Sequence, residues 1–429
     1  MSSRALPMPP RRLPGRGGST GAGRARDERR ARHAPDYPLL TAVAMLLIIG
    51  LVAVYSSSFA LGFAQFGDAN YFVKRQAIWA VLGIAGMIVA MQLDYRVLLR
   101  LSPLLMLAAL IGLGAALVPG LGLEQNGAQR WLQLGPLPPL QPSEFAKLAV
   151  VIYMAAWLAA KGDAVRSLSL GVLPFVGMVG LVGALIMLEP DLGTAVVIAI
   201  ITGALFFVAG ARLWHVLALG ASGLVTASAL IVTGGYRMDR ILSFTSAEAD
   251  PEGVGFHTLQ LLVAFGSGGI SGLGLGVSRQ KFFFVPGSHT DGVLAIVGEE
   301  LGLIGVSVVI ALFAMLLWRG LLIARRAADP FGSLLATGIV AWIGFQALIN
   351  AGGVTRLIPL TGLPLPFLSA GGSSLAVTLT AVGVLLSISR RAALTPEAPA
   401  TTTSERTARA ATLRSRAETA GRGGRGGAR

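Results

Sequence analysis

Between positions 278 and 305 the chain reads S-R-Q-K-F-F-F-V-P-G-S-H-T-D-G-V-L-A-I-V-G-E-E-L-G-L-I-G, and the residue types best suited to chemistry collect there. Arg279, Lys281, His289, Thr290 and Asp291 lead into an apolar run that carries two adjacent carboxylates, Glu299 and Glu300. An imidazole and a carboxylate beside two cations are the makings of proton transfer on an anionic substrate. A His-Thr-Asp tripeptide alone is more often a helix cap. The two glutamates are less easily dismissed. A charge near mid-bilayer costs roughly 2.5 to 3.5 kcal/mol, so such residues normally face a protein interior or a wet cavity. If the run is helical, they lie about 12 to 14 Å beyond Asp291. Neighbouring positions point about 100° apart, so one is expected to face the polar interior of a bundle and the other an adjacent helix. A salt bridge or hydrogen-bond network is the structural expectation for at least one.

Other chemically capable residues fall at the ends of apolar runs. Gln141-Pro142-Ser143-Glu144 opens one of them, with Pro in the first turn and Glu near the positive helix end. Glu144 and Lys147, three apart, share a helix face and read as an interfacial ion pair or a site. The loop before them holds Asn126, Arg130 and Trp131. Glu189-Pro190-Asp191-Leu192-Gly193 reads as a turn with two acids, solvated or functional. The 266–276 stretch is glycine-rich but lacks the Gly-Lys-Ser/Thr ending of a phosphate loop, so it reads as flexible or closely packed backbone and no nucleotide is expected. From Arg356 to Ser374, past Ser369 and Ser373, prolines, glycines and hydroxyl residues describe a broken, re-entrant backbone after a helix ending near Asn350. Such backbone survives at membrane depth only when buried in protein or lining a water-filled cavity, and a cavity wall is expected. The absence of cysteine excludes disulfides, thiolate metal sites and cysteine nucleophiles.

The elements that must position these residues follow from composition. With 429 residues, 54% hydrophobic and 13% charged, the chain is too apolar for a soluble domain. Runs of about 20 uncharged residues cross a hydrocarbon core of about 30 Å as helices. Ten are expected, near 39–60, 74–91, 101–118, 143–160, 168–188, 191–209, 213–233, 291–317, 333–354 and 371–389. The first is too long for a signal-peptide core and should remain as an anchor. The fold class is therefore an all-α integral membrane protein with ten transmembrane helices and a large extracytoplasmic loop, 234–290, between the seventh and eighth. Within that loop, 254–265 suits a helix lying in the interface. Arg96, Arg100, Lys161, Arg166, Arg212, Arg319, Arg325, Arg326, Arg390 and Arg391 mark the cytoplasmic loops and place both termini inside; Lys74 and Arg75 are the exception.

Nearly all of the net charge of +14 lies in residues 1–35 (+7) and 390–429 (+6), so two tails, 1–37 and 392–429, with little to bury and expected disorder, flank the 38–391 domain. Anionic lipid explains their arginines, and no nucleic-acid partner is expected. An outward-facing polar cavity in ten helices fits an enzyme acting on a lipid-linked substrate, a transporter or flippase, or a scaffold. A transporter should show two repeated halves with paired broken helices, and no repeat is evident. The polar residues cluster on one side, which favours surface chemistry.

Taken in order, N-G-A-Q-R-W, Q-P-S-E-F-A-K, E-P-D-L-G, S-R-Q-K-F-F-F-V-P-G-S-H-T-D…G-E-E-L-G and P-L-T-G-L-P-L-P-F-L-S-A-G-G-S-S resemble the SEDS family (shape, elongation, division and sporulation) across about residues 38–391. The S-R-Q-K run is closer to its division and sporulation branch (FtsW, SpoVE) than to its elongation branch (RodA). Gly292-Val293-Leu294 stands in place of the family's aromatic-rich stretch, and Ala370 where Tyr is common. The resemblance implies a peptidoglycan glycosyltransferase polymerising lipid II at the outer face of the cytoplasmic membrane, at the septum for the division branch. Lipid II flipping is the alternative. It implies that Asp291 is the catalytic carboxylate, a base for the GlcNAc 4-hydroxyl. Arg130, Lys147, Arg240, Lys281 and Arg356 are then candidates to hold the leaving diphosphate, with Glu144 orienting Lys147. Asp191, His289, Thr290, Glu299, Glu300, Ser369 and Ser373 are expected in support. A divalent cation, Mg or Mn, is an expected helper whose ligands the sequence does not identify. Implied partners are lipid II, the undecaprenyl-diphosphate-linked glycan, a class B penicillin-binding protein and other divisome proteins.

Overall fold

The computed structural model describes residues 34–125, 128–133, 135, 138–233 and 235–392. Asn126 and nearly all of both basic tails lie outside them, so the expectation of disordered ends concerns residues not described. Twelve principal helices are described. The first six are α1 (Tyr37–Phe66), α2 (Tyr71–Gln92), α3 (Tyr95–Ala116), α4 (Pro142–Lys161), α5 (Leu173–Leu188) and α6 (Leu192–Val208). They are followed by α7 (Leu213–Thr233), α8 (Gly235–Thr245), α9 (Phe256–Gly268), α10 (Val293–Arg325), α11 (Pro330–Val354) and α12 (Gly372–Ala392). Their starts follow local chemistry. Asp36, Asp94, Asp191 and Asp329 each cap a helix by accepting a backbone N–H from its first turn, which satisfies an otherwise orphaned donor.

Among the described residues nine helices are long and apolar enough to cross a membrane, one fewer than expected. The exception is α6: its 17 residues rise about 25 Å, short of a hydrocarbon core of about 30 Å. Its buried Val197, Ile198, Ile201 and Leu205 pack it among α4, α5 and α11. The cap at Asp191 and the turn at 209–212 fix its short length. The most enclosed spans are α11 and α12, and α7 is exposed along its length.

Two expectations about the connections change. The 119–142 segment contains a small antiparallel hairpin, β1 (Gly122–Gln125) with β2 (Ala128–Leu132), so the protein is not purely helical. The 234–290 region is not an open loop, because α8 and α9 occupy much of it. One face of α9 packs against the protein. Leu261 and Ala264 are fully buried, and Gly268 sits so close to the Gly298 carbonyl on α10 that no side chain would fit. Burying that apolar stripe against α10 outcompetes leaving it at the lipid surface.

The glycine-rich segment has a definite task. Gly302 adopts φ 64° and ψ −163°, which breaks α10 in mid-course. The break is stitched by the neighbouring strap. Leu273 N donates to Glu299 O (3.0 Å) and Gly274 N to Glu300 O (3.0 Å), while Leu303 N donates to Gly269 O (2.9 Å) and Ile304 N to Ile270 O (3.1 Å). Every backbone group opened by the kink that would otherwise lie unpaired thus finds a partner. Residues 355–371 run without helix after α11, which extends to Val354 instead of ending near Asn350. Leu363, Leu365, Phe367 and Leu368 are buried there, and α1 lies directly against the chain at Gly50. This irregular backbone is enclosed in protein, as its polar groups require.

Candidate functional site

Asp291 lies just before α10, half-buried, where two irregular segments meet. Thr290 Oγ1 donates to its Oδ1 at 3.1 Å. Gly287 (φ 65°) lets the chain turn tightly, since a Cβ there would come within 2.5 Å of that same oxygen. The Asp291 carbonyl accepts a hydrogen bond from Asn350 Nδ2 at 3.0 Å, and the same amide donates to Leu363 O at 2.8 Å. One α11 side chain therefore ties the aspartate to the wall formed by 355–371. His289 is fixed through its carbonyl, which accepts from Ala370 N at 2.8 Å, and its ring lies 4.5 Å from that of Phe72. Ala370, the position where Tyr is common, thus serves through its backbone.

Two imidazoles surround this aspartate. Burial lowers the pKa of both His257, on α9, and His289, against an opposing pull from the Asp291 charge; Arg240 lowers His257 further. Both rings are therefore held neutral near pH 7. His257 Nε2 and His289 Nδ1 are buried without a hydrogen-bond partner. Arg240, on α8, donates from Nη1 to Leu360 O at 3.2 Å. His257 thus feels both the Asp291 carboxylate and the Arg240 guanidinium, and His289 feels the same carboxylate.

The paired glutamates act together, contrary to the expectation that they would face different surroundings. Glu299 accepts from Ser278 Oγ and from Arg279 N at 2.9 Å. Glu300 accepts from Ser56 Oγ on α1 (2.6 Å) and from Lys281 Nζ (2.9 Å), whose side chain is 0% exposed. Residues 278–281 curl around the kinked helix, so side chains about 100° apart reach the same segment. Lys281 is sealed beneath Phe59, 5.0 Å from the ring centroid, and does not present its charge to a diphosphate.

Lys147 is equally enclosed. Its ammonium, 0% exposed, donates to Glu144 Oε1 (2.8 Å) and Gln346 Oε1 (2.8 Å) and sits 5.3 Å from the Trp342 ring. The expected Glu144–Lys147 pair exists, buried instead of interfacial, and Gln346 Nε2 links it to Pro364 O at 2.9 Å. Arg130 spends its guanidinium on the carbonyls of Glu189 (2.8 Å) and Pro190. Asp191 caps α6 through Thr194 and accepts from Gln141 Nε2 at 3.4 Å. Arg356 binds the Phe244 carbonyl and Glu248, which it holds down to a pKa of about 2. Ser369 Oγ accepts from Leu365 N (2.7 Å) and Ser373 Oγ from Gln141 N (3.3 Å), so both brace the wall.

The structure thus brings His289 and Thr290 to Asp291, sets Arg240 within reach of His257, and places Lys147, Lys281, Arg130, Arg356 and their acids in separate braces. Residues not singled out as candidates from sequence complete them. Gln346 and Asn350, four apart on α11, are polar residues in an apolar span, a signal that was legible. Glu189 has both carboxylate oxygens buried without partners, and burial, reinforced by Asp191 against Arg130, pushes its pKa up to about 8. Among the described residues no group of three or more His, Asp or Glu side chains is placed to hold a metal ion. The donor set therefore does not fit a divalent cation held by protein side chains alone.

A family model described as "Cell cycle protein", which spans FtsW, RodA and SpoVE, matches residues 37–394. The chain is 44% identical to stage V sporulation protein E of Bacillus subtilis, over 83% of this chain and 97% of that protein. It is 45% identical to a probable peptidoglycan glycosyltransferase FtsW of Geobacter metallireducens, over 83% of this chain and 95% of the other. Among solved structures it resembles a chain of a peptidoglycan synthase complex that coordinates polymerization and crosslinking, with TM-score 0.69 and 29% identity over 84% of this chain and 98% of that one. Rod shape determining protein RodA of Thermus thermophilus is similar at TM-score 0.62 and 29% identity, covering 83% of this chain and 97% of that one.

Proposed function

We infer a peptidoglycan glycosyltransferase from two facts: the chain belongs to the cell cycle protein family of FtsW, RodA and SpoVE, and a half-exposed aspartate is anchored by its own backbone beside an enclosed wall. The second observation carries the mechanism. Asp291 takes the proton of the GlcNAc 4-hydroxyl of lipid II. The freed oxygen attacks C1 of the growing glycan, the bond from C1 to the undecaprenyl diphosphate breaks with inversion, and a β-1,4 linkage forms. General-base assistance of this kind is worth about 10² to 10⁴ in rate. A backbone anchor suits the task because the carboxylate keeps its position while its oxygens remain open to substrate.

His257 and His289, with pKa values lowered by burial, add no positive charge beside Asp291 near pH 7. Arg240, whose charge bears on His257 and which donates to Leu360 O, is assigned to the departing diphosphate. Lys147 and Lys281 act at a distance, holding α4, α11 and the 278–281 turn in place through Glu144, Glu299 and Glu300. No step is routed through a divalent cation. The protein is a multi-pass membrane protein. We assign it to the cytoplasmic membrane with both termini inside and the Asp291 face outward, working at the septum with a class B penicillin-binding protein and other divisome proteins. The relatives' names and the synthase-complex neighbour support that reading.

Asp291→Asn tests it. The amide keeps the shape and cannot take the proton. Purified variant given lipid II is expected to make no detectable glycan polymer while unfolding at the wild-type temperature; polymer at near wild-type yield would overturn the assignment.

A further inference from the structure

At the opposite end of α3 from its hairpin lies a feature the reaction does not use. A cavity of about 640 Å³ opens between α3, α4 and α11, lined by Asp94, Arg96, Arg100, Ala160, Asp329 and Phe331. Its two acids are already matched. Asp94 pairs with Arg391 at 3.1 Å and caps α3, and Asp329 accepts from Tyr95 Oη (2.6 Å), Arg96 Nε (3.1 Å) and Gly332 N (2.8 Å). Arg100, four residues after Arg96 and so on the same helix face, is exposed and has neither an ionic nor a hydrogen-bond partner among the described residues. The mouth therefore carries one uncompensated positive charge. A second cavity, of about 540 Å³, shares Asp94 and Val97 with the first and runs along α3 to Pro142 at the start of α4. Its wall is almost wholly hydrocarbon, including Leu101, Leu105, Phe145 and Val384.

A cationic mouth continuous with an apolar groove complements an amphiphile with an anion at one end. We propose that this is a binding site for an anionic phospholipid of the surrounding bilayer, its phosphate on Arg100 and Arg96 and an acyl chain along α3. A guanidinium fork matches phosphate oxygens in two parallel hydrogen bonds. The acyl chain gains little by leaving lipid for the groove, because both are hydrocarbon, so the headgroup charge sets the preference. Which leaflet supplies the lipid rests on the topology assigned above; the binding itself does not.

The test uses the purified full chain in detergent, offered equal amounts of dioleoylphosphatidylglycerol and dioleoylphosphatidylcholine and read by native mass spectrometry. The wild type is expected to retain the anionic lipid preferentially. One arginine near a lipid headgroup is worth about fivefold in binding, so Arg100→Gln should reduce the preference by about that factor. Ala160→Phe, filling the cavity from an exposed position, should lower occupancy by both lipids. Equal retention of the two lipids by the wild type overturns the proposal, as does an unchanged preference in Arg100→Gln. Undiminished adducts in Ala160→Phe place the lipid elsewhere and overturn it too. Neither residue touches the Asp291 group, so failure here leaves glycan polymerisation at its wild-type rate, and failure of the polymerase reading leaves the lipid adducts intact.

Discussion

Replacing Gly302 by alanine tests how a broken membrane helix is held. Gly302 occupies φ 64° and ψ −163°, a region open almost only to glycine, and a Cβ there would lie 2.5 Å from the Ile270 carbonyl oxygen. Two outcomes are available to the variant. Keeping the kink costs about 1 to 3 kcal/mol of backbone strain plus displacement of the strap. Straightening α10 gives Leu303 and Ile304 regular helical acceptors, but it strips partners from Gly269 O, Ile270 O, Leu273 N and Gly274 N. Four hydrogen bonds are lost and two helical ones are regained, so a net two at about 0.5 to 1.5 kcal/mol each set that loss at roughly 1 to 3 kcal/mol. Either route also shifts the 278–281 turn from Glu299 and Glu300. A destabilisation of about 1 to 3 kcal/mol is expected, measured by thermal unfolding in detergent, with faster hydrogen exchange at the amides of Leu273 and Gly274. Unchanged unfolding and unchanged protection of those two amides would refute the stitched-kink account.

Lys281→Met leaves the Glu300 carboxylate buried beside Ser56 without its cation and should destabilise the protein by about 3 to 5 kcal/mol. Adding Glu300→Leu should restore much of that, and equal losses in the single and double variants would show that the pair is not energetically coupled. Glu189, with a folded pKa of about 8 against an ordinary 4.5, holds a proton that the unfolded chain releases. Its contribution to stability therefore declines as pH rises from 4.5 to about 8 and is level above that. Glu189→Gln removes the decline, so its unfolding temperature should gain on the wild type across that interval; a constant difference at all pH values contradicts the buried, protonated carboxyl.

How much could be read without coordinates differs by residue. Hydropathy located the apolar helices, though α6 proved too short to cross and α10 runs on to Arg325, because an uncharged run about 20 residues long has no other stable disposition in lipid. The same argument marked Glu299 and Glu300 as residues that must be enclosed with partners, since charge at membrane depth is too costly to leave unmatched, whereas Glu144 and Lys147 read as an interfacial pair and proved buried. The ordered motifs were enough to name the family and to single out Asp291. Composition left the glycine-rich strap as either flexible or closely packed backbone, and the structure shows it closely packed.

Partnership was decided only by the tertiary structure. Lys147 and Lys281, equal as candidates for a diphosphate, are closed off by Glu144, Gln346 and Glu300, whereas Arg240, on α8, bears on His257, the ring that also feels Asp291. His257 and Asn350 reach the same aspartate from two further elements. A chain determines which of its groups cannot tolerate lipid, because that depends on residue type and local hydropathy. Which group satisfies which depends on how distant helices cross, and on a kink at Gly302 that lets one strap serve both the backbone and the carboxylates of Glu299 and Glu300.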